Sequence, residues 1–201
     1  VLQAGNVARL AWRARLDEHL GSFTVELLDP VASRLFDDPL ALSALGSICA
    51  SLALFAERDP HPGLYKGARV VLSHMEDADI WPALMVRFEL EVLSELGFRL
   101  DLRECAASGR RDDLIYVSPK SGKAVSKEAG EPYKNKLLDL PPFLCSAGEG
   151  DVLGSDLLNG FALSGHFFEK HVYGSSDIAG AAVLAEARGL FLRRFVRAVA
   201  R

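Results

Sequence analysis

The chain has 201 residues, 49% of them apolar, which is enough to bury a core in one large domain or two small ones. Its net charge is -4 and its pI about 5.8, which excludes the overall basic field of a dedicated nucleic-acid-binding domain and leaves only local basic patches for that role. No run of 18 apolar residues occurs, so a membrane-spanning helix is excluded. The start at Val1 carries no methionine, basic segment or cleavage pattern, so no signal peptide is expected and an N-terminal truncation is. Cys49, Cys105 and Cys145 are odd in number and scattered, which fits a reducing cytoplasm better than a disulfide framework.

Residues 1–28 have β character. Val7, Leu10, Trp12 and Ala14 stand among Arg9, Arg13 and Arg15, and after a turn at 18–21 Phe23, Val25 and Leu27 alternate onto one side. This predicts a hairpin, or the last strands of a small β-domain. From Asp29 the period changes. Asp38-Pro39 opens an apolar helix over 38–57, with the aspartate as cap and the proline in the first turn. Asp59-Pro60 repeats the signal for a second helix, and Asp79 precedes a third over 80–97. Joined by loops of a few residues, the three predict an antiparallel helical body. In the third, Leu84, Met85, Phe88, Val92 and Leu96 form the apolar stripe, with Arg87, Glu91 and Glu95 on the other face. Gly97 is the left-handed stop, and Phe98 is placed to pack back on the last turn.

Residues 101–143 are rich in Lys, Arg, Gly, Ser and Pro. Two short strands around a turn at 118–122 are predicted, in a compact insert, because Leu114, Ile115, Tyr116, Val117 and Val125 need burial. A break at 148–150 precedes helices over about 155–173 and 178–200, the last with Asp177 as cap.

Few constellations carry chemistry. Cys105 stands where a structural zinc site could begin, but such sites need four Cys or His ligands, usually as two close pairs. Ser108 occupies the second position of a C-x-x-C, and 126–129 (Ser-Lys-Glu-Ala) offers no cysteine where a second pair would fall. A buried cysteine in a metal-free knuckle is therefore expected, with no metal and no cofactor. His166 and His171 are five apart, about 140° on an α-helix, and do not share a face. No GxSxG, HExxH, phosphate-binding or dinucleotide-binding glycine pattern is present, and no catalytic residues are assigned.

Three basic stretches remain. Arg9, Arg13 and Arg15 beside Trp12 suit single-stranded nucleic acid, guanidinium to phosphate and indole to base, while Trp12 is equally suited to a core. Residues 103–136 hold eight Lys or Arg against five acids, among them Arg110, Arg111, Lys120 and Lys123. That is either a solvated face or a phosphate-tracking one. The C-terminal helix carries Arg188, Arg193, Arg194, Arg197 and Arg201. Dipole matching accounts for part of that charge; the rest suits an acidic, apolar peptide or DNA backbone.

The string RFELEVLSELGF, followed by LDLRECAASG, DDLIYVSPKSGKAVS and KLLDLPPFL, resembles the RecO family of bacterial DNA repair and recombination mediators. NGFALSGHFFEKHV and the N-terminal LQAGNVARLAWRARLDEHLGSFTVE fit the same family. The resemblance implies an α+β protein: an OB-fold remnant over 1–28, then a mainly helical domain over 29–201 with a zinc-less, finger-like insert at about 101–143. It implies a mediator, not an enzyme. Such a protein binds single- and double-stranded DNA, anneals strands, works with RecR, docks the acidic C-terminal tail of the single-stranded DNA-binding protein, and so helps to load RecA. By the same resemblance Arg87 is a candidate for that tail, with Arg193, Arg194 and Arg197. Arg9, Trp12, Arg13, Arg15, Arg110, Arg111, Lys120 and Lys123 are the DNA candidates. A helical protein-interaction module without DNA binding is the rival expectation, and a metalloenzyme built on Cys105 and a histidine a third.

Overall fold

The computed structural model describes residues 2–16, 19–145, 151–176 and 178–200; the predicted cap at Asp177, the break at 148–150, Arg201 and part of the 18–21 turn lie outside them. Two antiparallel strands come first, β1 (Val7–Arg13) and β2 (Ser22–Asp29). Their register sets Arg9 opposite Glu26, Leu10 opposite Val25 and Trp12 opposite Phe23. Side chains alternate along a strand, so Leu10, Trp12, Phe23, Val25 and Leu27 share one face, and Arg9, Arg13 and Glu26 share the other. The apolar face stays open to solvent: Trp12 is 47% and Phe23 64% exposed. A core position for Trp12 is thus not realised among the described residues. The short helix α1 (Val31–Arg34) ties the chain down, with the Ala32 N–H donating to Asn6 Oδ1 at 3.0 Å.

The helical body follows. α2 (Pro39–Leu52) starts as its sequence dictates: the Asp38 carboxylate accepts from the N–H groups of Leu40 at 2.8 Å and Ala41 at 3.0 Å. It ends five residues before the predicted limit. The Leu54 and Phe55 N–H groups bond three residues back, which tightens the last turn, and Phe55 leaves the helix to pack on His61 with ring centroids 4.4 Å apart. α3 (Pro62–Ser73) begins later than Asp59-Pro60 suggests, and no side chain caps it. The Asp59 carboxylate faces His61 Nε2 at 3.4 Å instead. α4 (Trp81–Glu95) also lacks a side-chain cap, with Ile80 rather than Asp79 at that position.

α4 is the central element. Met85, Val86, Phe88, Val92 and Leu93 are buried, a wider face than the predicted stripe, in which Leu84 and Leu96 are only half-buried. Its end is the expected glycine stop: Gly97 has φ +90°, its N–H bonds to the Ser94 carbonyl at 3.0 Å, and the Phe98 N–H reaches the Leu93 carbonyl at 2.7 Å. The Phe98 ring packs against the core and stacks on His171, centroids 4.4 Å apart.

Between α4 and the last two helices lies the insert. β3 (Leu114–Val117) is the middle strand between β4 (Ala124–Ser126) and β5 (Leu138–Asp139), all antiparallel, with the short helix α5 (Lys127–Gly130) after β4. Leu114, Tyr116, Val117 and Val125 are buried, while Ile115 is only half-buried. α6 (Gly154–Phe168) runs on into a π-helical turn, Glu169–Tyr173, and α7 (Ala181–Val199) closes the molecule against α2. At Gly160 a Cβ would stand 3.0 Å from Val86 and 3.1 Å from Phe143, so glycine lets α6 approach α4 closely. Trp81, Phe161, Phe191 and Phe195 pack ring to ring where α4, α6 and α7 meet, at 5.0 to 6.5 Å between centroids. Among the described residues, no helix is long and apolar enough to cross a membrane.

Candidate functional site

The second half of α4, the segment after Gly97 and the end of the insert enclose two adjoining depressions. The first, about 320 Å³, is lined by Arg87, Leu90, Glu91, Arg99, Leu102 and Leu144, among others. The second, about 810 Å³, shares Leu102 and Cys145 with it and adds Arg103, Arg111, Ile115 and Leu140. The result is a groove lined by leucines and an isoleucine together with four arginines, Arg87, Arg99, Arg103 and Arg111, and four carboxylates, Glu91, Glu104, Asp112 and Asp113. Arg87 does not pair with Glu91: its guanidinium donates to the Phe143 carbonyl, which ties α4 to the end of the insert and fixes a cation in the groove. Arg87, a tail candidate from the sequence, lines this groove together with Arg99, which the sequence did not single out because its position depends on how the chain leaves the Gly97 stop.

The other tail candidates do not join this groove. Arg194 donates to the Pro39 carbonyl at 2.7 Å, at the start of α2, and Arg193 and Arg197 are exposed on α7. Arg188, counted among the basic residues of that helix, is buried. Its Nε and Nη2 donate to the two Glu89 carboxylate oxygens at 2.8 and 3.0 Å, and Nη2 also reaches the Phe161 carbonyl at 2.7 Å. Ser164 Oγ donates to Glu89 Oε2 at 2.5 Å. The signal for this network was present: Glu89 sits between Met85, Val86, Val92 and Leu93, and Arg188 between Leu184 and Phe191, all buried. Burial of Arg188 opposes its charge, but Glu89 overcompensates and holds its pKa above the usual value.

The DNA candidates divide by their partners. Arg9 pairs with Glu26 at 2.9 Å, Arg110 with Asp112 and at 3.6 Å with Glu128, and Arg111 with Glu104 at 4.0 Å, all on the surface. Arg13, Arg15, Lys120 and Lys123 are exposed. Arg9 and Arg13 lie on the hairpin face opposite Trp12, so guanidinium and indole do not form one stacking surface. The Lys120 turn is anchored from behind: Lys170 Nζ donates to the Pro119 and Lys120 carbonyls at 2.7 and 3.1 Å and lies 5.8 Å over the Phe167 ring. Burial, with Lys170 and His166 adding to it, lowers the His171 pKa.

Cys105 is 2% exposed in a tight loop whose backbone bonds run from Cys105 N–H to Arg110 O (2.7 Å) and from Gly109 N–H to Cys105 O (2.8 Å). Its sulfur accepts from the Ser126 N–H at 3.3 Å and Ser126 Oγ at 3.4 Å. Burial opposes ionisation, but hydrogen bonds from the hydroxyls of Ser108 and Ser126 and the N–H groups of Ser126 and Ala107 outweigh it and bring the thiol down to about 6. This donor set does not fit zinc. One sulfur is already filled by protein donors, its neighbours are neutral hydroxyls, and among the described residues no group of three His, Cys, Asp or Glu side chains is placed to hold a metal ion.

Residues 37–176 match the family model described as "Recombination protein O C terminal". The chain is 52% identical over 181 residues to "DNA repair protein RecO" of Methylorubrum populi, covering 86% of this chain and 72% of that protein. The protein of the same name from Methylobacterium nodulans is 50% identical over 196 residues, 96% of this chain and 78% of its own length. That of Brucella abortus is 49% identical over 173 residues, 86% and 70% respectively. No solved structure gives a significant match. With α2 to α6 and the insert inside the matched segment, and about half of the aligned positions identical across most of the chain, this protein belongs to the RecO family of DNA repair proteins.

Proposed function

We propose that the chain is a non-catalytic recombination mediator that holds an acidic, apolar peptide tail in the groove beside α4 while its basic surfaces hold DNA. The observation that carries the first half is the groove itself: leucines beside Arg87, which the Phe143 carbonyl fixes, and Arg99 in the same lining, two guanidinium groups against the one carboxylate of Glu91. A C-terminal carboxylate and acidic side chains meet the guanidinium groups, and an apolar end residue packs on the leucines. The tail of the single-stranded DNA-binding protein has that chemistry. RecR is the further partner this reading implies, and loading of RecA the outcome. The β1–β2 hairpin is read as part of an OB-fold, because its open apolar face suits one wall of a small barrel.

The test is fluorescence anisotropy with a labelled peptide of that tail. Arg87→Ala and Arg99→Ala are each expected to weaken binding about tenfold, which is ~1.4 kcal/mol, while Arg193→Ala leaves it unchanged. Equal affinity of Arg87→Ala and the parent chain removes the groove from the reading. Binding of the peptide with no DNA binding at low salt supports the interaction-module alternative.

A further inference from the structure

Two pairs of positions meet at the base of the insert. Cys105 and Ser108 are three apart in one tight loop. Ser126 and Ala129 are three apart where β4 passes into α5, one helical turn from each other. The pairs are brought together by backbone bonds, with Ala106 N–H to Ala124 O at 2.8 Å and Ala124 N–H to Asp101 O at 2.9 Å. Two loops with residues at i and i+3, joined by these bonds and by the Cys105–Ser126 contact, have the chain layout of a four-ligand zinc knuckle. Only one of the four positions is a metal ligand, and that sulfur accepts hydrogen bonds from across the gap. Ser126 stands at the N-cap of α5 but does not cap it; its hydroxyl goes to Cys105.

We infer that the base of the insert is a metal-independent counterpart of a zinc knuckle, in which the Cys105 sulfur, bonded to Ser126 N–H and Ser126 Oγ, closes the two loops that a cation would otherwise close. The sulfur replaces the ion as the hub. Ser126 supplies donors instead of a ligand, and Ala129, at the sequence position a fourth ligand would take, has no polar group. The inference is independent of the peptide and DNA readings above.

Two experiments on the full chain decide it. Thermal unfolding is followed after chelator treatment, with and without added zinc. The same midpoint in both is expected; a rise on adding zinc, or stoichiometric zinc retained through chelation, overturns the inference. A cycle of Cys105→Ala, Ser126→Ala and the double variant then measures the hub by urea unfolding. Each single change is expected to lower the folding equilibrium constant roughly tenfold, and the double variant little more than either, because both remove one interaction. Additive losses overturn it. Because a single variant is liable to unfold, Ser108→Cys/Ser126→Cys/Ala129→Cys provides a positive arm. With Cys105 it is expected to bind cobalt with the absorption of a tetrahedral four-thiolate site, and absence of that absorption shows that the four positions do not converge.

Discussion

Arg188 reaches Glu89 through the centre of the helical body, and both side chains give up water to do so: 5% and 1% of their surface remains exposed. Such a pair returns its desolvation cost only when every remaining polar atom is satisfied. Here Ser164 and the Phe161 carbonyl add hydrogen bonds to the pair, and the Phe168 ring lies 5.4 Å from the guanidinium. The pair therefore specifies how α4, α6 and α7 meet rather than adding much net stability. Removing one partner leaves a buried charge. Glu89→Leu is expected to lower unfolding free energy by roughly 3–5 kcal/mol, and Glu89→Leu/Arg188→Met to recover most of it. Urea unfolding of the three proteins checks this, and a double variant as weak as the single one shows that packing, not charge, is what was lost. Sequence reading assigned Arg188 to the basic surface because composition counts charges without regard to face. Its helical neighbours Leu184 and Phe191, both fully buried, held the correction.

Among the elements, the joint between α3 and α4 carries the clearest pH dependence. His61 Nδ1 lies 2.7 Å from Glu95 Oε2, and its Nε2 faces Asp59. The Glu95 hydrogen bond, more than the opposing loss of solvation, raises the His61 pKa above its ordinary value, with both carboxylates adding attraction. A raised folded pKa means that protonation favours the folded state. The contribution is complete below the unfolded pKa of about 6.5 and lost as pH rises through the folded value. The parent chain is thus expected to lose thermal midpoint between mildly acid and alkaline pH by more than His61→Gln does; parallel pH profiles for the two eliminate the joint as a titrating element. The same joint shows what was legible in the chain. Asp38 and Gly97 work as local chemistry predicts, because cap and stop use only neighbouring backbone groups. Asp59 has the same sequence signature and does not cap, because a histidine and a distant glutamate compete for the geometry. The groove was legible in one residue, Arg87. Its other walls come from three separated segments, and no periodicity within one helix reports a surface assembled across α4, the stretch after Gly97 and the end of the insert.

At the scale of the whole molecule, the proposed DNA binding by a chain of charge -4 rests on local cations rather than on the overall field. The structure sorts them. Arg9, Arg110 and Arg111 already face carboxylates, so phosphate must displace a partner to reach them, whereas Arg13, Arg15, Lys120 and Lys123 stand exposed on two elements. Lys170 holds the carbonyls of the Lys120 turn from behind, which spares that lysine the entropy cost of a mobile loop. Counterion release turns this sorting into a number. For single strands the slope of log K against log salt is about -0.7 per neutralised phosphate, so the exposed set alone predicts a slope of roughly -3, and recruitment of the paired arginines as well roughly -5. Titrations of labelled single-stranded DNA across a salt series separate the two. With the shallow slope, Lys120→Gln/Lys123→Gln is expected to reduce it further by about 1.4, the share of two phosphates. A slope unchanged in that variant moves the contact away from the insert and onto the hairpin, where Arg13→Gln and Arg15→Gln then become the changes that flatten it.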